Sequence, residues 1–251
     1  MKTRDRTSKS AKPWRPQSAM VLAAGMGSRM RPLTDQVPKP LVRVKGRALI
    51  DHVLDRIGEA GIGHAVVNVH YKADMLTRHL ADRLQPEITI SDERDSLLDT
   101  GGGVVRALPK LGNAPFLIHN ADSTWIEGVG SNIARICETW DAEKMDFLLL
   151  VALASSSVGY EGRGDFNMQA DGLMVRRRER EMAPFAFTGV SIAHPRAFKD
   201  APAGAFSLNE LWSRAIETQR LFGVRLDGIW MHIGTPEAVT AAEARIDEPN
   251  G

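Results

Sequence analysis

A chain of 251 residues, 43% of them apolar, is long enough for one α/β domain with a sizeable core. Its 32 basic and 31 acidic residues leave a formal charge of +1, which gives no reason to expect a nucleic-acid or membrane partner. The single cysteine, Cys137, excludes an internal disulfide and fits a reducing, cytoplasmic compartment.

Residues 1–17 carry Lys2, Arg4, Arg6, Lys9, Lys12 and Arg15 among very few apolar residues, the composition of a disordered basic tail. No apolar core follows those charges as in a signal peptide, and no later run is long enough to span a membrane. Residues 18–251 are expected to form a single domain.

Ala19-Met20-Val21 reads as a first strand. It opens into a long loop holding Gly25, Gly27, Arg29, Arg31 and Lys39, stiffened by Pro32, Pro38 and Pro40. The physical reading is a phosphate cradle. Glycines let backbone N–H groups approach an anion closely. Arg29 offers a planar fork that suits phosphate oxygens, and Lys39 is a point charge pinned between prolines. The glycine pair taken alone reads equally well as a surface loop.

Ile50, Val53, Leu54, Ile57 and Ala60 then recur at helical spacing from about Leu49, and Gly61 ends the run. Residues 65–69 read as a buried strand, Met75 to Leu84 as a helix stopped before Pro86, and 88–90 as a short strand. Thr100 to Leu108 reads as a helix and 116–118 as a strand. Such alternation implies parallel βαβ units in an open, Rossmann-like sheet with helices on both faces. Ligands bind such sheets at the carboxyl ends of strands, where the cradle lies. Ile133 to Trp140 reads as a helix in which Cys137 is buried, and Phe147 to Leu153 as a central strand.

The rhythm then changes to a smaller, β-rich part. Segments 165–168 and 173–175 flank Ala170-Asp171-Gly172, a hairpin signal. Phe185 to Ala193 is a strand, and Ser207-Leu208-Asn209-Glu210 fits a capping box opening a helix through Thr218. Short strands at 222–226 and 229–233 surround Asp227-Gly228, and Pro236 starts a last helix.

Two further stretches carry chemistry. In Asp99-Thr100-Gly101-Gly102-Gly103, glycines entering a helix let a flat base or ribose lie against the backbone, with Thr100 as a candidate cap. In Asn120-Ala121-Asp122, a carboxylate at a strand's end could hold Mg²⁺ against triphosphate oxygens, although aspartate is also an ordinary turn residue.

The string LAAGMGSRMRPLTDQVPKPL at 22–41 resembles the signature of the sugar-1-phosphate nucleotidyltransferases, LAAGxGxRxxPLTxxxPKPL, at every fixed position. The resemblance covers about residues 18–246. It implies nucleoside triphosphate and sugar 1-phosphate as substrates, with an NDP-sugar and pyrophosphate as products. Leu22, Ala24, Gly25, Gly27, Gly102, Gly103 and Asn120 would shape the nucleotide site. Arg29 would stabilise the departing pyrophosphate, Lys39 would bridge the reacting phosphates, and Asp122 would be a metal ligand. Thr188 and Gly189 lie where relatives receive the sugar phosphate, and Asp165 and Asn209 could add hydrogen bonds to sugar hydroxyls.

Trp230-Met231-His232-Ile233-Gly234-Thr235-Pro236-Glu237 resembles the family's W-x-D-[IV]-G-T-P-E, whose aspartate is a second metal ligand. Here that position is His232. Imidazole suits Mn²⁺ better than the hard Mg²⁺, so the implied cofactor is Mg²⁺ or Mn²⁺. Three roles are open for His232: direct ligand, partner of a coordinated water, or mark of a weakened site. Thymidylyl- and guanylyl-transferring relatives often carry V-E-K-P, with a lysine on the sugar phosphate; this chain has Val175-Arg176-Arg177-Arg178. One of these arginines could substitute, the others forming a solvated face.

No acyltransferase or dimerisation extension is expected after the last helix, so the chain would act as a monomer or homodimer. That compactness looks most like the N-acetylmuramate 1-phosphate uridylyltransferases of peptidoglycan recycling. The alternatives are a mannose-1-phosphate guanylyltransferase or other sugar-1-phosphate nucleotidyltransferase, or a regulatory protein that binds nucleotide or sugar phosphate and has lost the second carboxylate.

Overall fold

A computed structural model describes residues 14–248 of the chain. Residues 1–13 of the expected tail lie outside the described residues. Its last four residues pack on the body: Trp14 stacks on Trp140 at 6.0 Å, Pro16 is buried, and Arg15 donates to the Ala60 carbonyl at 3.1 Å.

The first strand, β1 (Ser18–Leu22), leads into the cradle, which holds one short helix, α1 (Leu33–Gln36). A small hairpin, β2 (Arg43–Val44) and β3 (Arg47–Ala48), delivers the chain to α2 (Leu49–Glu59). Then come β4 (His64–Val69), α3 (Ala73–Leu80), β5 (Glu87–Asp92), α4 (Asp99–Leu111) and β6 (Phe116–Asn120). These are the expected βαβ units: β4 and β6 flank β1 in parallel, and β5 adds in parallel outside β4.

Two boundaries differ from the sequence reading. Helix α3 stops at Leu80, not Leu84, because Leu84 points into solvent and extends no apolar stripe. Helix α4 runs past Leu108 through Pro109 to Leu111. Thr100 does not cap α4, whose flanking residue is Leu98.

An unanticipated strand, β7 (Ser123–Glu127), follows β6 at once, before α5 (Asn132–Thr139) and β8 (Phe147–Leu153). The β-rich part comprises β9 (Phe166–Met168), β10 (Met174–Arg176) and the long β11 (Phe185–Ala193). Helix α6 (Leu208–Glu217), β12 (Leu221–Arg225), β13 (Gly228–His232) and α7 (Pro236–Asp247) complete the fold.

The nine-stranded sheet is mixed. Strand β11 lies antiparallel between β6 and β8 and also carries the β9–β10 hairpin, while β12 pairs in parallel with β8. Strand β13 leaves that sheet and pairs with β7 as a two-stranded ribbon.

Strand alternation sorts the core into two layers. Ala19, Val21, Val67, Leu117, Leu148 and Leu150 face α2, α3 and α5. Met20, Val66, Ile118, Phe147 and Leu149 face α4 and α6. The sheet is therefore buried on both sides, as parallel strands require. A third cluster ties Met30 of the cradle to Val42, Val44, Leu49, Met231 and Ile233. Burying Met30 contributes roughly 1.5–3 kcal/mol and holds the polar loop against β13.

Candidate active site

The cradle folds across Gly27, which sits at φ 63°, in the left-handed region that favours glycine. A Cβ there would lie 2.9 Å from both the Lys39 Cβ and the Thr34 Cγ2. The absent side chain thus lets residue 39 lie against residue 27. Gly27 O accepts from Met30 N and from Thr34 Oγ1, both at 2.9 Å. Pro38 is extended, and a single turn over Lys39–Leu41 follows, so Lys39 projects from a fixed backbone. Its Nζ donates to Asp122 Oδ2.

Asp122 lies in the tight link between β6 and β7. Arg56 holds β7 from α2: its guanidinium lies 4.4 Å over the Trp125 ring and donates to Trp125 O at 2.6 Å and Thr124 Oγ1 at 3.0 Å. His232 reaches the same place through the ribbon, where its register partner is Ser123. The imidazole packs edge-on to Tyr160 at 6.1 Å and tilted to Trp230 at 5.5 Å. A Cβ on Gly234 would come within 2.9 Å of His232 Nε2, so that glycine leaves the ring nitrogen open.

A local break in register on β11 supplies the opposite wall. Between Phe187 and Val190 the pairing with β8 shifts, leaving Thr188 and Gly189 as extra residues. Thr188 Oγ1 donates to Leu150 O at 2.8 Å, and Ser123 Oγ donates to Thr188 O. Gly189, at φ 90°, passes so close to Asn120 that a Cβ would lie 3.0 Å from the Asn120 Cβ.

Two cavities open on this framework. The first, about 380 Å³, lies over the carboxyl end of β1 and is walled by Leu22, Ala24, Gly25, Lys39, Asn120 and Asp122. The second, about 340 Å³, contains Arg29, Asp165, Thr188, Gly189, Asn209 and His232. Asn120 and Asp122 border both. Gly102 and Gly103 wall neither; Asp99 and Thr100 take that place in the first cavity.

The missing Cβ atoms of the glycine triplet serve packing instead. Phe206 fills the space at Gly101, the Gly204 carbonyl that at Gly102, and Asn68 with Glu93 that at Gly103. The Thr100 hydroxyl accepts from Leu208 N at 3.0 Å, linking α4 to the first turn of α6.

Asn68 was not anticipated as a site residue. Its Oδ1 accepts from Ala23 N at 2.7 Å, and its Nδ2 donates to Glu93 Oε1 at 2.8 Å. It thereby fixes the backbone where the cradle leaves β1. A polar residue inside the apolar run of residues 65–69 was the available signal. Burial pushes the Glu93 carboxyl above the ordinary carboxylate range, and the Asn68 hydrogen bond opposes that shift. Asp227 is a turn residue, as expected; its Oδ2 accepts from Val129 N at 2.8 Å.

The electrostatics at the junction have clear causes. Burial acts to raise the Asp122 carboxyl, but the Lys39 ammonium outweighs it and holds Asp122 below the ordinary range. Burial pushes His232 down, opposed by Asp122 and reinforced by Lys39 and Arg29. A neutral imidazole beside a carboxylate is a competent donor pair for a divalent ion. Among the described residues no group of three or more His, Cys, Asp or Glu could hold a metal. An ion here would take Asp122 and His232 from the protein and its other ligands from substrate oxygens and water.

His119, buried behind Asn120, is pushed down to about 4 by burial, although its hydrogen bond to Asn120 O acts the other way. The neutral ring stacks on Trp125 at 5.6 Å and donates from Nδ1. The unfolded chain takes up a proton near about pH 6.5, whereas the folded one resists until about 4. Stability present above pH 6.5 is therefore lost as pH falls toward 4, by up to about 3 kcal/mol. Denaturant titrations near neutral pH and near about pH 4.5 should show the wild type losing about 2–3 kcal/mol more than His119→Leu. Equal losses would contradict a neutral, buried His119.

A family model described as Nucleotidyl transferase matches residues 18–155, from the start of β1 to just past β8. The chain belongs to the nucleotidyl transferase family. It is 48% identical over 237 residues to the N-acetylmuramate alpha-1-phosphate uridylyltransferase of Caulobacter vibrioides, covering 93% of this chain and 98% of that one. It is 32% identical to the N-acetylmuramate alpha-1-phosphate uridylyltransferase of Neisseria meningitidis, covering 90% and 96%. HddC from Yersinia pseudotuberculosis, solved with GMP-PN, shares the fold with a TM-score of 0.72 at 18% identity, over 92% of this chain and 99% of that one. The similarity to both uridylyltransferases therefore extends over nine-tenths or more of this chain. No helix among the described residues is long and apolar enough to cross a membrane.

Proposed function

We propose that the chain transfers the uridylyl group of UTP to N-acetylmuramate 1-phosphate, giving UDP-N-acetylmuramate and pyrophosphate. The observation that carries the reading is the meeting of two cavities at Asn120 and Asp122, with Lys39 on the wall of the first and Arg29 on that of the second. A two-substrate phosphoryl chemistry needs two such sites with cations at their junction. The relatives from Caulobacter and Neisseria support the choice of base and sugar.

The nucleotide occupies the first cavity, its base and ribose toward Thr100 and its phosphates toward the cradle. The sugar occupies the second cavity, its phosphate toward Asp122. A sugar phosphate oxygen attacks the α-phosphorus in line; the new P–O bond forms as the bond to the bridging oxygen breaks, and pyrophosphate leaves. The attacking oxygen is already anionic, so no general base is needed and catalysis is positioning plus charge neutralisation. Lys39 places its ammonium beside the α-phosphoryl group, and Arg29 neutralises the departing pyrophosphate. Asp122 keeps Lys39 oriented until substrate arrives. A divalent ion, Mg²⁺ or Mn²⁺, held by Asp122 and His232, would supply further positive charge on the phosphate oxygens. The reaction belongs to the cytoplasmic recycling of peptidoglycan sugars.

Offering equimolar UTP, dTTP, GTP and CTP together with N-acetylmuramate 1-phosphate tests this reading by mass spectrometry of the products. UDP-N-acetylmuramate should dominate. A GDP-sugar would move the chain to the guanylyltransferases. Nucleotide binding without any NDP-sugar would make it a binding protein, the reading that His232 in place of a carboxylate favours. His232→Asp is expected to raise the ratio of Mg²⁺- to Mn²⁺-supported turnover roughly tenfold, because an oxygen replaces a nitrogen ligand. An unchanged ratio would remove His232 from the metal.

A further inference from the structure

Arg176 ends β10 and lies on the wall of the second cavity formed by β9, β10 and α6. Its guanidinium carbon sits 5.2 Å over the Phe166 ring. Its Nη1 donates to Asn209 Oδ1 at 3.0 Å, and its Nη2 to Asn209 O at 3.4 Å. One face is covered by an aromatic ring and one edge is fixed by a neutral amide. No carboxylate lies within salt-bridge distance of Arg176 among the described residues, whereas Arg47, Arg83, Arg106, Arg196 and Arg220 all have one. The nearby acid Asp165 spends its Oδ2 on Phe187 N at 2.9 Å. Burial disfavours the charged guanidinium, with Asp165 opposing that shift from beyond contact.

A half-buried cation held in place without a counter-ion, inside a cavity of sugar size, is a site prepared for an anion. The phosphate of a sugar phosphate has its own cation, Lys39 paired with Asp122. That lysine belongs to the cradle and not to the β9–β10 hairpin. A neutral hydroxyl would not call for a fixed, planar, charged fork; a carboxylate does.

We propose that Arg176 is a specificity-determining residue that reads a carboxylate carried by the sugar, selecting an acidic sugar 1-phosphate over its neutral counterpart. The inference rests on the proposed function, since N-acetylmuramate carries such a carboxylate on its lactyl ether and N-acetylglucosamine does not. Asn209 sets the plane of the guanidinium and Phe166 its height, and the remaining N–H groups of Arg176 have no partner among the described residues.

Steady-state kinetics with UTP and either N-acetylmuramate 1-phosphate or N-acetylglucosamine 1-phosphate test it on the wild type, Arg176→Gln and Arg176→Lys. Arg176→Gln should raise KM for the acidic sugar about tenfold to a hundredfold with little change in kcat, as expected for a lost charge-assisted hydrogen bond. For the neutral sugar kcat/KM should fall less than threefold. Arg176→Lys should recover part of the preference, because it keeps the charge and loses the fork. Equal losses with both sugars would overturn the inference in favour of a phosphate contact, and no loss with either would overturn it outright.

Calorimetric titration of the two sugar phosphates into wild type and Arg176→Gln reads the same preference without turnover. If the wild type fails to make UDP-N-acetylmuramate, the proposed function falls. The inference falls with it only if titration also shows no preference for the acidic sugar dependent on Arg176.

Discussion

Lys39→Ala is expected to lower kcat by about a thousandfold or more while the far-ultraviolet circular dichroism stays unchanged. Among the described residues the Lys39 ammonium is the one cation on the wall of the first cavity, and it pairs with Asp122, which borders both. Removing it takes away positive charge where the α-phosphoryl group changes partners. It belongs to none of the three apolar clusters, so the core is left alone. Lys39→Arg should rescue little. The Cβ of residue 39 is fixed against Gly27, so a longer, planar head cannot occupy the position of a compact ammonium. Single-turnover assays with saturating nucleotide measure this directly, and near-normal turnover in Lys39→Ala would remove Lys39 from the chemistry.

Asp122→Asn is expected to cost a comparable factor, about a thousandfold, and to raise the divalent-ion concentration needed for half-maximal activity. Asparagine keeps the shape but removes the charge that orients Lys39 and offers a metal its hard oxygen. The stability change should be modest, because the lost attraction to Lys39 is offset in part by relief of the cost of burying the Asp122 carboxylate. Metal titrations of activity separate the two roles. An unchanged metal dependence with reduced kcat would leave Asp122 only as the partner of Lys39.

Most of residues 18–69 was legible in the sequence because its signals are local, α1 and the β2–β3 hairpin excepted. An apolar run, a glycine- and proline-bearing loop and a helix of regular period follow one another. Strand β7 was not legible: Ser123-Thr124-Trp125 has weak alternation, and its partner Met231 and neighbours lie about a hundred positions later in the chain. The nearness of His232 to Asp122 follows from that pairing, so the resemblance to a family motif suggested it where local pattern did not.

The glycine triplet taught the opposite lesson. Gly101, Gly102 and Gly103 read as an open surface for a base, yet their backbone is covered by Phe206, Gly204, Asn68 and Glu93. A run of glycines announces close approach but does not say of what. Gly189 inside an apolar strand was a fair sign of the irregularity that turns Thr188 toward the site. Arg176 could not be separated from Arg177 and Arg178 by pattern. Arg177 is tied to the Gly164 and Glu181 carbonyls and Arg178 lies near Glu181, leaving Arg176 to the cavity.

Two cavities that hold UTP and N-acetylmuramate 1-phosphate and join them at the Lys39–Asp122 pair should release pyrophosphate from that pair of substrates. Pyrophosphate release from UTP and N-acetylmuramate 1-phosphate, with Mg²⁺ and then Mn²⁺, tests it most directly. Stoichiometric pyrophosphate and UDP-N-acetylmuramate are expected, with far slower release from glucose or mannose 1-phosphate. No release from N-acetylmuramate 1-phosphate with either metal, in a protein that turns over a neutral sugar phosphate, would contradict it.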